Sequence, residues 1–212
     1  MAIQIEAIDL EQVERKLGVF KEKAPKVLKL AVNDTAKKAR SRLAKEAQKN
    51  YAVQVQGFNR VMNIRLASNA NPVAVISSKG KTIPAYKFKK RGNTMGGGER
   101  YYNPTTHHTQ TGKGGRAAMV QQLKQSSPKS IQKGKLKAFV ATMPKSGHTG
   151  IFQRREGYAR GEKREIKEIM GSSIPVMIGS EKHVYGIVKP YIQSDLKEAV
   201  NRHVSRAIRG EI

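Results

Sequence analysis

Residues 26–49 constrain the fold of this chain more than any other stretch. Apolar residues recur in it at spacings of three and four, which predicts one amphipathic α-helix. At 1.5 Å per residue the helix would be about 36 Å long. Its apolar stripe consists of Leu28, Val32, Ala36, Ala39, Leu43 and Ala47. Because half of the stripe is alanine, a sheet or another helix can approach it closely.

Helices are also predicted at both ends of the chain. Asp9 is a good N-cap for a first helix, and Pro25 marks its separation from the helix that follows. Near the C-terminus, apolar residues recur every four positions from Val184 to Ile208. Pro190 falls inside that pattern, so we expect a kink or two abutting helices there.

Between the helices the pattern changes to short β-rich runs separated by turns. The predicted strands are 63–66, 73–77, 83–88, 135–142, 150–155 and 164–169. A short helix is predicted over 116–125. Together these elements predict an α+β fold in one domain over 1–212. Long amphipathic helices, including a C-terminal one, would pack on a small, mostly antiparallel sheet.

Residues 89–116 show no periodicity and contain seven glycines. Such a segment buries too little apolar surface to offset its ordering entropy. We therefore predict a long, basic, glycine-rich loop that is flexible or serves as an assembly arm.

Positive charge is the strongest compositional signal. The chain has 41 lysines and arginines against 16 acidic residues, a net charge of +25. Between residues 79 and 145, fifteen cations accompany a single acid, Glu99. This imbalance favours contact with a polyanion or an acidic protein. Aromatic residues lie among the cations, and the candidate nucleic-acid-facing residues are Lys87, Lys89, Lys90, Arg91, Arg100, Lys113 and Arg116.

The sequence argues against catalysis. It contains no cysteine, which excludes thiol nucleophiles and cysteine-based zinc sites. His107 and His108 are adjacent, a poor arrangement for binding one metal ion. Acidic residues such as Asp34 and Asp195 are expected to pair with cations three or four residues away. We expect no cofactor, no metal, no secretory leader and no membrane span.

Several short phrases carry a family resemblance. The early helix contains Ala-x-Asn-x-x-Ala at residues 31–36. Phe-Gln at 152–153, Arg-Glu-Ile at 164–166 and Ile-Pro at 174–175 then precede the last helix. In these phrases, and in the order of its elements, the chain resembles the minor tail protein Z family of lambda-like siphophages. It is also similar to the broader group of tail-completion, or head–tail joining, proteins.

The resemblance implies an α+β structural protein that forms a homo-oligomeric ring in the virion neck. Its partners there would be the tail terminator, the tail tube or the head connector, with genome DNA in the lumen. It would be made in the host cytoplasm and incorporated into the virion. A basic surface without an active site suits such a DNA passage.

Two other readings remain open. The chain could be a sequence-independent nucleic-acid-binding module, associated with the ribosome or the nucleoid. Such a module should bind RNA or DNA when free, with a steep dependence on salt. A nuclease would require clustered acids to hold metal ions, and the sequence shows no such cluster.

Overall fold

The structure of the protein is a computed structural model. It describes residues 1–6, 10–53, 57–90, 100–103, 108–111, 118–131, 138–143, 145–155 and 166–212. For residues 90, 100–103 and 108–111 it describes the backbone alone. The chain divides into two compact units. The first comprises Met1–Lys49, Gln56–Lys81 and Ile174–Ile212, and the second comprises Asn50–Val55 and Thr82–Ser173. That both belong to a single functional domain stays a prediction.

The α-helices carry the apolar periodicity of the sequence, and they build most of the first unit. They are α1 (Leu10–Leu17), α2 (Ala24–Asn50), α3 (Ile174–Ile178) and α4 (Tyr185–Ile208). The predicted first, second and terminal helices are confirmed. Pro190 lies in the second turn of α4, which is one continuous helix rather than two abutting ones. None of the helices in the described part of the chain has both the length and the apolar character that crossing a bilayer requires.

Helix α2 contributes more buried residues to the first unit than any other element. Each residue of its predicted stripe is at most 1 % exposed. Val27, Ala31 and Thr35 are equally buried, so the buried surface extends well beyond one stripe. The small side chains allow this enclosure, because alanine lets neighbouring elements come close to the helix backbone.

An antiparallel sheet completes the first unit. Its strands are β1 (Ala2–Glu6), β2 (Met62–Arg65) and β3 (Val73–Ser78), in the order β1-β3-β2. One face is buried and carries Ile3, Ile5, Ala74 and Ile76. The two predicted strands of this sheet are confirmed, whereas β1 was not predicted.

Asn33 fixes the loop between β2 and β3 onto helix α2. Its Oδ1 accepts a hydrogen bond from Ala67 N at 2.7 Å, and its Nδ2 donates to Ala67 O at 3.2 Å. Both bonds are buried. A helical asparagine thus satisfies two backbone groups that would otherwise be unpaired in the interior.

Charged contacts join α2 to α4. Lys38 Nζ and Arg42 Nη2 lie 3.4 and 3.1 Å from Oδ1 of Asp195, whose side chain is only 7 % exposed. Asp34 Oδ2 lies 2.9 Å from both Arg202 Nη2 and His203 Nε2. The expectation that Asp34 and Asp195 pair with local cations was therefore wrong, because the packing of two helices brings closer partners from far along the chain.

The second unit consists mainly of short strands. They are β4 (Thr82–Pro84), β5 (Lys89–Lys90), β6 (Arg100–Asn103), β7 (His108–Thr111), β8 (Met119–Gln121), β9 (Lys129–Ser130), β10 (Ala138–Thr142), β11 (Thr149–Arg154), β12 (Ile166–Glu168) and β13 (Met170–Ser173). They form antiparallel groups in the orders β10-β11-β12, β5-β8-β9, β13-β4 and β6-β7. The predicted meander over 135–169 is confirmed as β10, β11 and β12.

Three predictions for this unit need correction. The predicted strand 83–88 is extended only at its start, in β4, because Ala85–Lys87 form a 3₁₀ turn. The helix predicted over 116–125 is wrong, because the described residues 118–125 include β8, which pairs with both β5 and β9. The segment 89–116 is not loop throughout, since it contains β5 and the paired strands β6 and β7. Its remaining residues lie outside the described part of the chain, and its flexibility and its role as an arm stay predictions. The α+β class itself is confirmed.

Replacing Asn33 tests the α2–loop contact. In Asn33→Ala, the N–H and C=O of Ala67 lose their partners in the interior, so we expect a loss of about 1–3 kcal/mol in the free energy of unfolding. Urea denaturation followed by circular dichroism measures it. Ser41→Ala removes a similar but exposed side-chain bond to a helix carbonyl, and should stay within about 0.5 kcal/mol of the wild type. Equal effects for both variants would contradict the assignment.

The pKa of Asp34 makes stability depend on pH. Partial burial acts to raise this pKa, but the hydrogen bond and charge of His203, with those of Arg202, outweigh it and hold the pKa below its ordinary 3.8. A carboxyl whose pKa is lowered by folding stabilises the fold above its unfolded pKa, and this contribution is lost as the pH falls through the folded pKa. Thermal unfolding between about pH 6 and pH 3 should therefore show a smaller fall for Asp34→Asn than for the wild type. Glu198→Gln, which neutralises an exposed acid of α4, is the control, and parallel curves for all three proteins would contradict the interpretation.

Candidate nucleic-acid interface

Cationic side chains dominate the second unit. Its sequence contains 19 lysines and arginines and five acidic residues. In the described part of the unit Glu168 is the only acid, and its Oε1 lies 2.9 Å from His148 Nε2. The exposed cations described there are Lys87, Lys89, Lys124, Lys129, Lys145, Arg155 and Lys167. Such a surface attracts a polyanion with little competition from its own carboxylates.

Lys87 and Lys89 are held on either side of a buried aromatic ring. Lys87 ends a 3₁₀ turn, Lys89 begins β5, and both are exposed. Between them, Phe88 is 1 % exposed and its ring lies against Gly171, where an added Cβ would come within 2.5 Å of Cε2. The backbone N–H of Lys89 donates to Ala52 O at 2.7 Å. Two lysines are thus presented to solvent from a well-anchored backbone.

The other predicted interface residues are described only in part or not at all. Lys90 lies in β5 and Arg100 in β6, and for both only the backbone is described. Arg91, Lys113 and Arg116 lie outside the described residues. The gathering of all seven side chains on one surface therefore stays a prediction.

Lys124 and Lys129 are exposed cations near β5 that we did not single out from the sequence. Strand β8 pairs Gln121 with Lys89 and pairs Val120 with both Lys90 and Lys129. The Nε2 of Gln121 donates to Lys124 O and Ser126 O at 2.7 and 2.8 Å, which fixes the turn after β8. The cation count over 79–145 already included both lysines. Because a helix was predicted at 116–125, the proximity of these lysines to β5 was not predicted.

The described residues offer little catalytic chemistry. No three metal-ligating side chains gather anywhere in the part of the chain that the structure covers. His148 pairs with Glu168, and the ring of His148 meets that of Phe152 edge-on at 6.2 Å between centroids. His203 is buried against Asp34 in the first unit. His107 lies outside the described residues, so the absence of a metal stays a prediction.

Comparison with known proteins identifies the family. The family model for prophage minor tail protein Z (GPZ) matches residues 9–210. No curated protein and no solved structure is similar enough to the chain to count as a match. The matched range includes Asn33 and its neighbours in α2, the buried Phe152 of β11, and the Ile174-Pro175 start of α3. Because the family model spans both units and nearly the whole sequence, the chain belongs to the prophage minor tail protein Z family and is a structural protein of a bacteriophage tail.

Proposed function

We propose that this tail protein is a tail-completion or neck component that forms a ring between the head connector and the tail. In this proposal the basic surface of the second unit faces genome DNA. The observation that carries it is the pair of exposed lysines, Lys87 and Lys89, anchored by buried Phe88 in a unit whose only described acid already has a partner.

The proposed contact with DNA is electrostatic and independent of sequence. Lysines that neutralise phosphates release condensed counterions, which gives affinity without reading bases. Among the described residues of the second unit, only Asn50, the last residue of α2, is α-helical. The described part of this unit therefore offers no α-helix that could enter a major groove. Strands and turns that present lysines suit contact with the phosphate backbone of DNA passing through a lumen.

Membership of a tail-protein family implies contact with other virion proteins. We propose that these are further copies of this chain in the ring, together with the tail terminator, the tail tube or the head connector. The segment 89–116 would be the arm that reaches a neighbouring subunit or DNA, since it is the longest stretch rich in glycine and cations. The family also supports a non-enzymatic role, because the work of such a protein is assembly.

Charge reversal tests the DNA-facing surface. A variant carrying Lys87→Glu, Lys89→Glu, Lys124→Glu and Lys129→Glu should fold, because all four side chains are exposed. It should assemble into particles, yet lose at least about tenfold in infectious titre through poorer retention or passage of DNA. The assay is complementation of a phage that lacks the gene, with particle counts and packaged DNA measured in parallel.

The control carries the same change in charge on the first unit. Lys21, Lys26, Lys37 and Lys45 are exposed there, and their replacement by glutamate should reduce titre less. Equal titres for the wild type and the second-unit variant would contradict the proposed surface. If the purified wild-type protein binds RNA and DNA by itself with a steep salt slope, the alternative of a cellular nucleic-acid-binding module gains support instead.

A further inference from the structure

Strand β1 is the outer strand of the sheet in the first unit. The order β1-β3-β2 leaves one side of β1 without a partner strand among the described residues. Met1 and Ser78 exchange both backbone hydrogen bonds, with N···O distances of 3.0 and 3.3 Å. Since such pairs alternate along an antiparallel ladder, Ile3 and Ile5 also bond to β3. The N–H and C=O groups of Ala2, Gln4 and Glu6 therefore point outwards.

An apolar groove follows this free edge. It has a volume of about 290 Å³ and runs between β1 and helix α4. Ile3 and Ile5 line it from the strand, and Ile192 and Leu196 line it from the helix. Glu6 and the exposed Lys189 also line it, and they add one charge of each sign. A strand added beside β1 would therefore find backbone partners at the edge and apolar partners for every second side chain.

The edge has little protection against pairing with another strand, since Glu6 is its one charged side chain. Natural edge strands carry lysine, proline or a bulge for this purpose. Residues 1–6 contain no lysine, arginine or proline, although the chain has 41 cations in 212 residues. The five residue pairs between β1 and β3 run without a bulge. The strand that can accept a partner strand thus carries no cation of its own.

We propose that two copies of this chain join through their β1 strands, antiparallel and related by a two-fold axis at Gln4. This register pairs Gln4 with the same residue of the second copy, and Ala2 with the second copy's Glu6. Every outward backbone group of β1 then has a partner. On the side of the sheet that faces α4, Ile3 lies opposite Ile5 of the second copy. The apolar lining of each groove is therefore extended by side chains of the other copy.

Electrostatics favours pairing through β1 over other contacts between two copies. Most approaches of two chains of charge +25 bring cations together. In the proposed register the two Glu6 residues, the only charged side chains of the paired strands, lie four residue steps apart, about 14 Å. That exceeds the screening length of about 8–10 Å at physiological salt. The inference goes beyond the proposed ring, which needs head-to-tail contacts through other surfaces.

Cysteine cross-linking tests both the pairing and its register. The chain has no cysteine, so Gln4→Cys creates a protein with a single thiol. In the proposed pair the two Cα atoms at position 4 are about 5.5 Å apart, within disulfide range. Mild oxidation of the full-length protein should give a covalent dimer on a non-reducing gel. Ala2→Cys should not, because its two copies lie about 14 Å apart.

Mixing Ala2→Cys with Glu6→Cys should give a heterodimer, since the register places these residues opposite each other. Sedimentation equilibrium gives an independent readout. Gln4→Pro removes the central outward N–H and should weaken the dimer at least about tenfold. Gln4→Ala keeps that N–H and should dimerise like the wild type.

Equal cross-linking of all three cysteine variants would indicate random collision and overturn the proposal. A monomeric wild type with no cross-link at position 4 would also overturn it. If the β1 amides exchange freely in the purified protein and resist exchange only in assembled particles, pairing of two free copies through β1 is wrong.

Discussion

The first unit depends on the enclosure of helix α2. Its alanine-rich surface has almost no exposure, and apolar burial of this kind provides most of the driving force for folding. Burial alone does not specify which neighbour lies where. Polar contacts do that: Asn33 binds the backbone of the β2–β3 loop, while Asp34 and Arg42 bind charged groups of α4. Asn33, Asp195 and His203 are buried, so a misplaced partner would leave a polar group unpaired in the interior.

The second unit meets a different constraint, because its many cations repel one another. Short strands anchored by buried aromatic and aliphatic residues solve this problem: Phe88 is buried while the lysines on both sides of it stay in water. The described cations then stay in water without cost to the core. We propose that genome DNA is the counterpart of these cations.

The sequence predicted elements that are long and periodic. Helix α2 and helix α4 follow directly from the spacing of their apolar residues. Strand β1 was not predicted, because only Ile3 and Ile5 show the alternation of apolar and polar residues that is typical of a strand. The predicted helix at 116–125 was wrong because local composition there is overridden by pairing of β8 with two neighbouring strands. The partners of Asp34 and Asp195 are more than 150 residues away, so no local spacing rule could find them. Lys87 and Lys89 are exposed, and their contact with nucleic acid stays a prediction. Lys124 and Lys129 were not singled out because their proximity to β5 follows from strand pairing, which puts Lys129 on the sheet face of Lys90 rather than that of Lys89.

The central claim is that the cations of the second unit face DNA inside a ring of the phage neck. A cryo-electron microscopy map of the intact virion at side-chain resolution tests this most directly. We expect a closed ring of this chain with Lys87 and Lys89 lining a channel that holds DNA density. A map that places these lysines on the outer wall, against an acidic protein or in bulk solvent, would contradict it.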